Sequence, residues 1–131
     1  AQTVDRCLKM IGRDAQTRLA APPRAYWVGV GGTLTTLGAM QCGLPLFDSQ
    51  TCEGMVMTAG QVASWGKRLA RMSMVERRQV IGLMPQRADI IPSGIAILEA
   101  AMRAFDMGEL RLSAHGNMDG YLKRKFRERA Q

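Results

Sequence analysis

Apolar side chains recur every three or four residues in several stretches of the chain, and glycine or proline separates these stretches. The spacing predicts amphipathic helices over residues 4–19, 62–72, 95–105 and 117–126. Residues 26–30 are uncharged and include aromatic and β-branched side chains, which predict a buried strand, and residues 110–113 predict a second short strand. The pattern therefore predicts a helix-rich α/β unit.

Helix starts are marked by residue pairs that cap backbone N–H groups. Thr58 with Gln61 and Ser73 with Glu76 each fit a capping box, and Asp89 is a candidate cap for the helix that contains residues 95–105. Residues 44–57 show no period and predict a connection. With only two predicted strands the chain would not complete a sheet, so we expect partner strands outside it.

The predicted strand at residues 26–30 leads into Gly31, Gly32 and Thr33, and a threonine-rich helical start follows. Glycines allow a sharp turn and the close approach of another group, and Thr33 is a candidate N-cap. A strand that turns into a helix in this way presents free N–H groups at the positive end of the helix dipole, which suits phosphate. The alternative is a turn that serves packing alone.

Composition narrows the classes of protein that fit. The 131 residues are 47% hydrophobic, which is enough for one domain with a real core, and no apolar run is long enough for a membrane span. Three cysteines without metal-ligand spacing and one histidine argue against a zinc site, so we expect no metal ligand among them and reduced thiols in a cytoplasmic protein. The cysteines are Cys7, Cys42 and Cys52.

The net charge of +7 is concentrated in two places, residues 60–90 and residues 117–131. A basic excess of this kind suits a polyanionic partner, or it is simply a solvated surface. One hypothesis for the chain is therefore a binding module, without catalysis, for nucleic acid or another polyanion. Nucleic acid is the less favoured partner, because no nucleic-acid motif is present and few aromatic side chains lie among the basic ones.

Several runs, in this order along the chain, resemble the exopolyphosphatase / guanosine pentaphosphate phosphohydrolase (Ppx/GppA) family. They are Val-Gly-Val-Gly-Gly-Thr-Leu-Thr-Thr-Leu at 28–37, the basic segment 69–78, Gly-Leu-Met-Pro-Gln-Arg-Ala-Asp at 82–89 and Ser-Ala-His-Gly at 113–116. The run at 82–89 is the most specific of these. One departure is Met118, which stands where the family usually has an arginine.

The resemblance implies a ribonuclease H-like fold of the actin–hexokinase–Hsp70 superfamily. Residues 1–131 would be part of the second domain, without the first domain or the opening strands. It also implies a phosphohydrolase that acts on polyphosphate or guanosine pentaphosphate with Mg²⁺, and the sequence does not choose between these substrates. A homodimer is a further possible assembly.

In this interpretation the chain forms one wall of the interdomain cleft and carries no catalytic residue. The substrate-binding candidates are Gly31, Gly32, Thr33 and Arg87. The planar guanidinium of Arg87 suits phosphate, and the alternative is an ion pair with Asp89. We expect the chain by itself not to hydrolyse polyphosphate.

Overall fold

The computed structural model describes residue 6 and residues 26–129. The predicted first helix and Cys7 therefore lie outside the described residues. The elements, in chain order, are β1 (Val28–Val30), α1 (Gly32–Cys42), α2 (Ser49–Cys52), β2 (Val56–Thr58), α3 (Ala59–Arg71), α4 (Met74–Arg77), a 3₁₀ turn (Pro85–Arg87), α5 (Ile91–Ala104), β3 (Glu109–Ser113) and α6 (Asn117–Arg129).

The three strands form one small sheet with the order β1-β3-β2. β1 runs parallel to β3 and pairs Val28 with Arg111, whereas β2 is antiparallel and pairs Met57 with Leu110. The expectation that the chain holds only two strands is wrong, because β2 forms where the predicted connection ends, at Val56 and Met57, and includes the cap residue Thr58. A three-residue strand is too short to show alternation, and β3 specifies it by pairing. The predicted helix-rich α/β organisation is confirmed.

The core lies on one face of the sheet, beneath α1, α3 and α5. Its fully buried side chains come from strands and helices alike: Leu37, Met57, Val62, Leu69, Ile95 and Leu112. Each such side chain gains about 1.5–3 kcal/mol relative to exposure. The opposite face of the sheet carries Val28 and Val30, which are 52% and 40% exposed, so the prediction that this strand is buried is wrong.

Both predicted capping boxes are confirmed. Gln61 N–H donates to Thr58 Oγ1 at 3.2 Å, and Thr58 N–H donates to Gln61 Oε1 at 2.9 Å. Ser73 and Glu76 repeat the arrangement at the start of α4. Asp89 as a cap is wrong, since Ile90 occupies the N-cap of α5 and no side chain bonds there. The 3₁₀ turn leads almost directly into α5, which shifts the helix start past Asp89.

Candidate functional site

The site lies at one edge of the sheet, where the parallel strands β1 and β3 both end. Ligands of α/β proteins commonly bind beyond the carboxyl ends of such strands. Here β1 ends at Val30 and α1 begins at Gly32, so a single residue, Gly31, makes the whole turn. Gly31 has φ 96° and ψ 176°, a conformation that is essentially restricted to glycine. The chain therefore needs a glycine here.

The N terminus of α1 is open. Among the described residues, no side chain accepts a hydrogen bond at its N-cap, and its first turn has no acidic residue. The first intrahelical bond runs from Thr35 N–H to Gly31 O at 3.1 Å, so the N–H groups of Gly32, Thr33 and Leu34 have no partner within the helix. Such a helix end attracts anions.

Thr33 as the N-cap is wrong. The helix starts before it, and its half-buried side chain packs against α5. A Cβ atom built on Gly94 would lie 2.5 Å from Thr33 Oγ1, which shows how closely the two helices approach there. The Thr33 hydroxyl therefore lies against α5, and the Thr33 backbone N–H is one of the three that have no partner within the helix.

Arg87 reaches this turn from a distant part of the chain. Its Nη1 donates to Gly32 O at 3.1 Å and to Thr36 Oγ1 at 3.3 Å. A Cβ atom on residue 32 would lie 2.7 Å from Nη1, so a glycine at this position makes room for the guanidinium. Within residues 26–129 Arg87 makes no ion pair with Asp89, so that alternative is not what the structure shows. The structure brings together Gly31, Gly32 and Arg87.

A groove of about 360 Å³ adjoins Arg87. Its walls come from α1, the connection after α1, the segment that carries Arg87 and the turn after β3: Thr35, Thr36, Ala39, Leu46, Phe47, Gly82, Met84, Arg87 and Ala114. Sequence reasoning missed Thr35 and Thr36. The signal was present, because both follow Gly31-Gly32-Thr33 within one helical turn.

Glu53 holds the turn after β3, which contributes Ala114 to the wall of this groove. Its carboxylate accepts hydrogen bonds from Ala114 N–H at 2.6 Å and Ser113 Oγ at 2.7 Å. These bonds, that of the Ala114 amide first, lower the pKa of Glu53 below its ordinary value. His115 donates its backbone N–H to Ser113 Oγ at 3.1 Å, and its side chain is exposed. Sequence reasoning missed this role of Glu53, because its partners lie about 60 residues away.

The basic clusters lie elsewhere. Lys67, Arg68 and Arg71 are exposed on α3, and the Arg68 guanidinium lies 4.9 Å from the centre of the Trp65 ring. On α6, Lys125 and Arg124 both pair with Glu128, at 3.0 and 3.1 Å. None of these side chains lines the groove beside Arg87.

Two further classes of feature concern metals and membranes. In the part of the chain that the structure describes, no three histidine, cysteine, aspartate or glutamate side chains are grouped to hold a metal ion. Mg²⁺ commonly uses one or two carboxylates together with substrate phosphates, so Mg²⁺ stays a prediction. Over the same residues, no helix combines the length and apolar character needed to cross a membrane.

Comparison with known proteins gives consistent matches. A model of the Ppx/GppA phosphatase family matches residues 2–128. Exopolyphosphatase 2 of Mycobacterium tuberculosis is 28% identical over 98 residues, which are 72% of this chain and 31% of that protein. The chain therefore spans about a third of the length of this curated relative.

Solved structures agree on the fold. The crystal structure of the Aquifex aeolicus Ppx/GppA family member matches with a TM-score of 0.75 and 26% identity, over 99% of this chain and 42% of that one. An exopolyphosphatase from Cytophaga hutchinsonii matches with a TM-score of 0.73 over 95% of this chain and 39% of that one. Its 18% identity supports the fold alone. The predicted fold class is confirmed.

Proposed function

Because the chain belongs to the Ppx/GppA phosphatase family, we propose that it forms one wall of the active-site cleft of a phosphohydrolase. The reaction would release the terminal phosphate of inorganic polyphosphate or guanosine pentaphosphate. The observation that carries this proposal is the contact of Arg87 with the open N terminus of α1. Two groups that attract anions, a helix start and a guanidinium, meet at one sheet edge.

The chain's own part in the reaction is to hold phosphate. The backbone N–H groups of Gly32 and Thr33 point out of the helix start, and Gly31 sets the turn that exposes them. Arg87 uses Nη1 for both of its hydrogen bonds to described residues. These two bonds orient the other N–H groups of its guanidinium. Held in this way, the guanidinium offsets the negative charge that develops on the phosphate oxygens in the transition state.

The remaining machinery would come from other residues. Hydrolysis needs a water molecule placed for attack, and the carboxylate of Glu53 is already engaged by Ala114 and Ser113. We therefore assign no catalytic base to the described residues. Mg²⁺, when bound, would neutralise phosphate charge. The first domain of the family would close the cleft over the groove, and a homodimer remains a proposed assembly.

The test compares two arginines in the whole protein. Arg87 and Arg77 are both half-buried and both donate to a backbone carbonyl, Arg77 through Nε to Leu69 O at 2.8 Å. Arg77 is not among the residues that line the groove. We expect Arg87→Ala to lower kcat/KM for phosphate release and Arg77→Ala to leave kcat/KM unchanged in the folded enzyme. Equal effects of the two substitutions would contradict the proposal.

The second candidate function is binding of a polyanion by the exposed basic clusters on α3 and α6. The observation that favours it is the exposure of Lys67, Arg68 and Arg71 along one helix. If it holds, Lys67→Ala with Arg71→Ala would weaken binding of single-stranded DNA and reduce its salt dependence, whereas Arg87→Ala would not. Retention of DNA binding by the double variant would exclude this role for α3.

A further inference from the structure

Three sulfur atoms meet at the end of α1 that is far from the open helix start. Cys42 is the last residue of α1 and Cys52 is the last residue of α2, and their Sγ atoms lie 3.7 Å apart. Both thiols are free. The Met55 thioether sulfur lies 3.4 Å from Cys42 Sγ. Two reduced cysteines at this distance are close enough to react with one another after a small movement.

We propose that Cys42 and Cys52 are an oxidation site that forms an intramolecular disulfide with a hydroperoxide as the oxidant. The two sulfurs would approach from 3.7 Å to about 2 Å, the length of a disulfide bond. The site does not depend on the proposed function, since it requires only the two thiols and the peroxide.

The different exposure of the two thiols indicates which of them reacts with peroxide first. Cys42 is exposed, so peroxide reaches its sulfur, whereas Cys52 is fully buried. Burial raises the pKa of the Cys52 thiol, which leaves it less often ionised and less reactive toward peroxide. Cys42 is therefore the thiol that meets the oxidant, and Cys52 is the resolving thiol.

The chemistry balances in two steps. The Cys42 thiolate attacks one peroxide oxygen, the O–O bond breaks, and Cys42 becomes a sulfenic acid while the other oxygen leaves as an alcohol, or as water from hydrogen peroxide. The Cys52 thiolate then attacks Cys42 Sγ, the S–O bond breaks, and hydroxide leaves and takes up a proton to form water. The two thiols lose two electrons and two protons, and the peroxide is reduced.

The cross-link would act on the groove beside Arg87. The segment between the two cysteines contains Leu46 and Phe47, which line that groove. The residue after Cys52 is Glu53, whose carboxylate holds the turn after β3 through Ala114. A disulfide would tie these parts of the groove wall to the end of α1 and close a short loop.

The experiment treats the whole protein with hydrogen peroxide in a Cys7→Ser background, which removes the third cysteine of this chain. Cleavage at Asp48 separates Cys42 from Cys52, so mass spectrometry of the digest detects the cross-link directly as two joined peptides. We expect the joined peptides after oxidation, their release by dithiothreitol, and a rise in Tm of about 5 °C or more.

Two matched variants sharpen the result. Cys52→Ser should stop at the sulfenic acid, which dimedone traps on Cys42, and Cys42→Ser should leave the Cys52 thiol reduced at the same peroxide dose. Circular dichroism establishes that each variant is folded. The proposal is overturned if both thiols persist in the folded parent, if Cys42 passes to sulfinic acid without a cross-link, or if the only disulfides join separate molecules.

Discussion

Two strand-to-helix junctions of the same sheet, β1 to α1 and β2 to α3, differ in whether a side chain caps the first N–H groups of the helix. At the start of α3, Thr58 and Gln61 form a complete capping box. At the start of α1, Gly31 has no side chain, and no side chain within residues 26–129 caps the helix. The strands β1 and β2 both flank β3, and each leads into its helix with at most one residue between them. The closed junction satisfies its own backbone, whereas the open junction leaves N–H groups for water or a ligand.

The two junctions differ in what their first N–H groups contribute to: stability of the helix at the capped junction, and anion binding at the uncapped one. A capped helix start gains about 1 kcal/mol from its cap but presents fewer free donors to an anion. An uncapped start forgoes that gain and keeps its donors and its dipole exposed. Arg87 lies at the open junction, and no basic side chain in the described part of the chain is hydrogen-bonded at the closed one. Substitutions at the two junctions should therefore have different consequences.

The largest effect is expected at Arg87. In the whole protein, Arg87→Ala should lower kcat/KM by about 10- to 1000-fold, which corresponds to the loss of about 1.5–4 kcal/mol from charged hydrogen bonds in a shielded site. Arg87→Lys should restore only part of the rate, because a point charge does not replace the fork. Steady-state kinetics of phosphate release measure both effects.

Arg87 also contributes to the stability of the fold, because its Nη1 donates hydrogen bonds to Gly32 O and Thr36 Oγ1. We expect Arg87→Ala to lower Tm as well, so activity must be expressed per folded molecule. Arg77→Ala is the matched control for stability. Unchanged kcat/KM in folded Arg87→Ala would remove Arg87 from the cleft.

The second effect concerns the turn itself. Gly31→Ala should destabilise the protein by about 1–3 kcal/mol, since alanine is strained in this backbone conformation, although the space around the new Cβ is open. The turn that aims the N–H groups would also shift, and binding of tripolyphosphate should weaken. Gly108→Ala is the control, because its surroundings are equally open and its φ is not positive. Equal unfolding free energies for the two variants would contradict the strain at Gly31.

The third effect belongs to the closed junction. Thr58→Ala should cost about 1 kcal/mol and lower Tm by about 2–4 °C. Because the capping box lies at the other junction, kcat/KM should not change in the folded variant. Calorimetry and kinetics on the same preparation test both statements, and a loss of activity without a loss of stability would reverse the assignment of the two junctions.

The smallest effect depends on pH and involves Glu53. The pKa of Glu53 is lowered in the folded protein from an ordinary 4.5, so its carboxylate stabilises the fold above that pH and loses this contribution as the pH falls through the folded pKa. Glu53→Gln removes the contribution. The Tm of the wild type should exceed that of the variant near neutral pH, and the difference should shrink on acidification below 4.5. A constant difference across this range would show that the carboxylate has no such role.

Local signals in the sequence predicted the elements that local chemistry determines. The capping boxes at Thr58 and Ser73 were readable because their two partners lie three residues apart. The strand β1 and the glycine turn were readable from β-branched residues followed by Gly31 and Gly32. Partners close in sequence leave a pattern that a single sequence reveals.

The rest depends on contacts between distant residues. β2 was missed because β3 pairs with it across more than 50 residues, and three residues show no period of their own. The helix starts at Gly32 rather than after Thr33, and the Thr33 side chain packs closely against Gly94 in α5, a contact between residues far apart in sequence. The partner of Arg87, Gly32 O rather than Asp89, is likewise set by tertiary structure.

The central claim is that the open junction binds phosphate and the closed junction does not. Its most direct test is a titration of the ¹⁵N-labelled protein with tripolyphosphate, followed through backbone amide shifts. We predict that the amides of Gly32 and Thr33 and the side-chain N–H groups of Arg87 shift together with one affinity. The amides of Thr58 and Gln61 should stay in place. Saturable shifts on α3 or α6 without shifts at Gly32 and Thr33 would contradict the claim.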